Sequence, residues 1–149
     1  MTSSPTVCRV AEVRLRRTIG SRSTRIYWPS PTGPPRPLLA LFDIGTPSDT
    51  ADFDVHCRNI CSASDFIVLS VRYAPASWSF RSVIVPDAMS VLQWAADHAA
   101  ELNADPARLL VGGDHAGGPL AAAVGELAHE QGWPPILRIH DLRQLRRTP

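Results

Sequence analysis

The sequence has no lysine: all fifteen of its cationic side chains are arginine. Arginine presents a planar fork of donors suited to carboxylates and phosphates, so its exclusive use invites an anion-binding reading. The rest of the composition favours a blander cause. Fourteen prolines and many alanines accompany the arginines, as in a GC-rich codon bias. Net charge is scarce too, at +1, so no overall field draws the chain to nucleic acid or an anionic membrane. Cysteine is limited to Cys8, Cys57 and Cys61. An odd, sparse set excludes a disulfide framework. Cys57 and Cys61 are four apart and share a face if helical, which suits packing, and no further ligands stand at metal-binding spacing. No apolar run reaches the length of a membrane span, and the N-terminus lacks a charged-then-apolar signal pattern. The expectation is a soluble cytoplasmic protein with no metal and no cofactor.

What is present suffices for one domain: 149 residues, 44% apolar, can bury a core. Residues 1–11 are expected to be a frayed, disordered N-terminus. "EVRLRRTI" (12–19) and "TRIYW" (24–28) read as strands of a hairpin turned by "GSRS". "PSPTGPPRP" (29–37), with five prolines and a glycine, is a loop. "LLALF" (38–42) and "FIVLSV" (66–71) are apolar runs that suit strands buried on both faces. Apolar residues at 53, 57, 60 and 61 have helical spacing. A loop containing Pro75 and Pro86 precedes a strongly amphipathic helix over 87–102. A loop (103–108), a strand (109–113), a helix (117–130) and a last strand (136–140) follow. Residues 141–149 form a basic tail. Strands alternating with helices call for a mostly parallel sheet with right-handed crossovers, extended at one edge by the antiparallel hairpin. The class is α/β.

The chemistry, if any, sits in "VGGDHAGGPL" (111–120). Gly113-Asp114-His115-Ala116-Gly117 follows a strand and opens a helix. It has the G-x-S-x-G form of a nucleophile elbow, with histidine where the serine belongs. Gly113, Gly117 and Gly118 would frame the turn, Asp114 would cap the helix, and the N–H of Ala116 would point at the oxyanion position. Three roles are open to His115. It is a base or nucleophile oriented by Asp43, a metal ligand with Asp43 and Asp114, or a substitution at a site that has lost its catalytic demand. His56, His98 and His129 fall on expected helices as solvated side chains, and His140 at a strand end.

These residues resemble the hormone-sensitive-lipase-like branch of the α/β-hydrolases, a family of carboxylesterases and lipases whose elbow reads GDSAGG. "RIYWP" (25–29), "FIVLSVRYAP" (66–75), "PDAMSVLQWAADHAAEL" (86–102), "DPARLLVGG" (105–113) and "PLAAAVGELAHEQGWPP" (119–135) are similar to that family as well. The resemblance implies the N-terminal half of the family fold over 12–140, and carboxylic esters as the ancestral substrate class. It also exposes departures. The family's His-Gly-Gly-Gly, which helps build the oxyanion hole, stands here as Asp43-Ile44-Gly45-Thr46. Gly45, Thr46 and Ala116 are what is left of that hole, and a carboxylate beside it would repel an oxyanion. The family's Asp-Tyr-Arg-Leu-Ala-Pro finds Arg72-Tyr73-Ala74-Pro75, without the aspartate. The triad acid and base of the family lie downstream of the stretch in hand. The expectation is therefore a truncated, catalytically inactive member. The rival expectations are a non-catalytic module that binds a protein partner at an exposed sheet edge, and one piece of a split or frameshifted esterase.

Overall fold

The computed structural model describes residues 7–17, 20–45, 50–74, 80–113 and 115–141. Six strands form one sheet in the order β1-β2-β4-β3-β5-β6. They are β1 (Arg9–Arg17), β2 (Gly20–Trp28), β3 (Arg36–Ile44), β4 (Ile67–Tyr73), β5 (Ala104–Gly113) and β6 (Ile136–Asp141). β1 and β2 pair antiparallel, β2 joins β4 antiparallel, and β3 to β6 run parallel. Three helices connect them: α1 (Thr50–Ser64), α2 (Val85–Asp97) and α3 (Gly117–Gln131). This is the α/β class, with the expected antiparallel pair on a parallel sheet.

Alternation along the strands sorts the molecule into layers. Leu38, Ala40 and Phe42 of β3 join Leu109 and Val111 of β5, Leu92 of α2 and Leu120 and Val124 of α3 in one large core. Leu41 points the other way and packs with Tyr27, Val68, Cys57 and Cys61. So α2 and α3 cover one face and α1 the other. Parallel strands are covered on both sides in this way because their crossovers bring the helices with them.

Several expected boundaries move. β1 begins at Arg9, so residues 9–11 belong to the strand and not to a frayed end. "GSRS" lies inside β2, because the ladder runs unbroken to Arg17↔Gly20. β5 starts at Ala104 in the stretch read as a loop, where Arg36 pairs with Ala104 before the register shifts. Pro86 sits in the first turn of α2, where a missing N–H costs nothing. A π-helical turn, Phe80–Ile84, leads into it. That helix stops at Asp97, not 102, and His98 is no free solvated side chain. Its Nδ1 lies 2.8 Å from the Trp94 carbonyl, and its ring stacks on Trp94. α3 ends at Gly132, whose φ of 75° is a left-handed cap that glycine adopts without strain.

Candidate functional site: a strand-to-helix elbow

The elbow is built by close packing. β5 ends at Gly113 and α3 begins at Gly117, so the chain reverses over three residues. A Cβ on Gly113 would run into the Gly117 carbonyl and come 2.9 Å from that of Phe42. A Cβ on Gly117 would run into the Phe42 carbonyl. These two positions admit only glycine without displacing backbone. Gly118 differs: its Cβ would meet nothing closer than the Gly113 carbonyl at 3.6 Å, an ordinary contact. His115 stands at the apex with a φ of 50°, in the left-handed region that costs a non-glycine residue roughly 1–2 kcal/mol. Its side chain is exposed at the carboxyl edge of the sheet, where open α/β sheets place their ligands. Ala116 is exposed and is the N-cap of α3, which has no side-chain cap. Asp114, read from the sequence as the capping residue, and Thr46 lie outside the described residues.

Asp43 is not the partner of His115. The register sets Asp43 directly opposite Arg72 of β4, and the Arg72 Nε donates to its carboxylate at 2.8 Å. Strand parity explains this. Asp43 lies on the Leu41 side of β3, toward α1, whereas the elbow turns into α3 on the opposite face. Arg72 also donates to Thr50 Oγ1 at 2.7 Å, at the start of α1, and its guanidinium lies over Phe53. The carboxylate that seemed to oppose an oxyanion is thus held in an ion pair. Gly45 is altered too. Its N–H donates to the Tyr73 carbonyl at 2.9 Å, and a Cβ on it would lie 2.5 Å from the Arg72 guanidinium. An N–H engaged in the ladder is not aimed at an oxyanion.

The remaining polar side chains serve the frame. Asp87 of α2 is fully buried and accepts a 2.5 Å bond from the Tyr73 hydroxyl. Asp54 of α1 accepts from Tyr27 at 2.6 Å, Arg58 at 2.8 Å and Arg25 at 3.1 Å. Burial works to raise the Asp54 pKa, but Tyr27, Arg58 and Arg25 outweigh it and hold it below its ordinary value. Burial pushes the Cys61 thiol up to about 12 and that of Cys57 higher still. Both stay protonated at neutral pH, and a thiol is nucleophilic only as the thiolate. Among the described residues no three His, Cys, Asp or Glu side chains gather into a metal site, and no helix is long and apolar enough to cross a membrane.

Sequence reasoning overlooked Arg72 as the counter-charge. A signal was there: "LLALF" ends in Asp43 and "FIVLSV" in Arg72. Opposite charges capping two adjacent buried strands meet when those strands pair in register.

A parallel sheet with a glycine-framed turn from strand to helix, its apex residue at positive φ, defines an α/β-hydrolase frame. A family profile described as alpha/beta hydrolase fold matches residues 42–142. The chain belongs to this family, in its hormone-sensitive-lipase-like branch. It is similar to the esterase LipI of Mycobacterium tuberculosis, 36% identical over 135 residues, which are 87% of this chain and 42% of LipI. It is also similar to the carboxylic ester hydrolase LipN of the same organism, 36% identical over 137 residues, 87% of this chain and 36% of LipN. Among solved structures it superimposes on EstE1, a thermophilic carboxylesterase from a metagenomic library, with a TM-score of 0.82. The two are 32% identical, over 93% of this chain and 48% of EstE1. The chain spans less than half the length of these relatives.

Proposed function

We propose that this chain, by itself, is a non-hydrolysing member of the carboxylesterase family, one that keeps the elbow as architecture and not as a catalytic device. The observation that carries this reading is the state of the residues around the apex. His115 stands at the nucleophile position, Asp43 is bonded to Arg72, and the Gly45 N–H is bonded to Tyr73. A histidine nucleophile or base needs a partner that sets its tautomer, and Asp43 is engaged elsewhere. Ester hydrolysis through an acyl-enzyme also needs oxyanion donors pointed at the developing charge. The backbone N–H of Ala116 is one such donor at most. In intact folds, oxyanion and binding effects alone are worth roughly 10³–10⁴ over water, and a damaged hole supplies less.

Short-chain p-nitrophenyl esters test this, because their leaving group needs least assistance. The expected result is no saturable turnover by the chain, and none gained by His115→Ser, since triad members act as a unit. Saturable turnover that disappears in His115→Ala would overturn the reading and make the histidine catalytic.

A further inference from the structure

The two ends of the sheet are not alike. β1 closes one end with exposed charged residues, Arg9, Glu12 and Arg14, and Glu12 is paired across the ladder with Arg25 at 3.1 Å. Charges of this kind protect an edge strand from pairing with other chains. The other end is β6, which pairs with β5 and has no strand on its far side among the described residues. Here the surface is apolar. Leu137 is 61% exposed and Trp133 41%, two of the three large hydrophobic side chains most open to water among the described residues. Beside them runs a groove of about 840 Å³ between the second half of α3 and the segment leading into β6. Ala128, Pro134, Ile136 and Leu137 line it, with Glu126 and Glu130 also in its wall.

We infer that the β6 edge and this groove are a docking surface for a strand-and-helix segment of the hydrolase family, such as the half of a family esterase outside the match. The inference rests on the reading above of a chain that lacks a working site on its own. Three observations select this occupant. Strands β3 to β6 are parallel, and parallel strands are normally interior, covered on both faces and paired on both edges. The relatives superimpose on 93% of this chain with only 48% of EstE1, so the same frame carries further polypeptide in that enzyme. The groove holds Glu126 and Glu130, which disfavours a second copy of the chain: a two-fold contact brings like charges toward each other. The partner's matching features are an apolar strand laid along β6 and a helix with basic residues opposite those glutamates.

The test uses the 149-residue chain and the portion of LipI outside the match, mixed as separate chains and also joined behind the C-terminus. Light scattering gives the stoichiometry, and hydrogen exchange reads the β6 amides. The chain alone is expected to be a monomer whose β6 amides exchange freely. With the LipI portion, a one-to-one complex should slow them at least about tenfold, and Leu137→Asp should abolish that protection while leaving the α2 and β3 amides unchanged. A homodimer of the chain alone with protected β6 amides would overturn the inference in favour of a second copy. No protection of β6 in either the mixed or the joined form would overturn it outright. Neither result bears on ester turnover, so this inference and the inactive reading stand or fall separately.

Discussion

At the scale of single residues, the elbow makes a sharp contrast between two adjacent glycines. Gly117 lies against the Phe42 carbonyl so closely that a methyl group has no room, and overpacking of this kind costs about 1–3 kcal/mol. Gly118 has open space around its Cβ position and a place in a helix, where alanine is better than glycine by about 1 kcal/mol. Gly117→Ala is therefore expected to lower stability by about 2 kcal/mol, and Gly118→Ala to leave it unchanged or raise it. Chemical denaturation of the two variants measures both. Equal losses would mean that the turn is not held against β3. The sequence showed all three glycines alike as a motif. Only the distance to Phe42, sixty-odd positions back along the chain, separates the two that are sterically required from the one that is not.

At the scale of elements, α1 depends on Asp54 for its place on the sheet. This carboxylate ties the helix to β2 through Tyr27 and Arg25, and to its own next turn through Arg58. Its pKa is depressed in the fold, so the unfolded chain takes up the proton more readily than the native one. The stabilisation is therefore complete above the ordinary carboxylate value of about 3.9 and is lost as the pH falls through the lower native value. Asp54→Asn should reduce stability at pH 7 and flatten the acid limb of the stability profile. Thermal melts from pH 2 to 7 check this, and parallel profiles for variant and parent would rule it out. The helix itself was legible, from the spacing of Phe53, Cys57, Ile60 and Cys61. Its start at Thr50 was not, because that end is drawn out by the bond from Arg72, a tertiary contact that no local pattern records. The same holds for β5, whose first residues read as loop and become strand through pairing with Arg36.

At the scale of the whole molecule, the two edges of the sheet are fastened differently. The amino edge is stitched by contacts between distant segments. The Trp28 indole donates to the Leu102 carbonyl at 2.8 Å, Arg108 donates to the Pro35 carbonyl at 2.9 Å, and the Arg36 N–H donates to the Asn103 carbonyl at 3.1 Å. These bonds join β2, the proline loop and the start of β5, so the hairpin end of the sheet is tied to its centre by more than the ladder. The elbow, at the carboxyl edge, takes no part in them. Trp28→Phe keeps most of the apolar surface and removes one donor, leaving the Leu102 carbonyl without its partner. A lost bond of this kind costs about 1–3 kcal/mol when the remaining group stays buried. The expected outcome is a loss of that size in global stability, with faster amide exchange in β1 and β2 and an unchanged chemical shift for the His115 ring. A shifted His115 resonance would mean that the two edges are coupled and that the elbow is not an independent piece of architecture. Fold class and elbow could be read from the chain because periodicity and glycine spacing are local. This division of labour between the edges could not, since every bond that makes it spans a long separation in sequence.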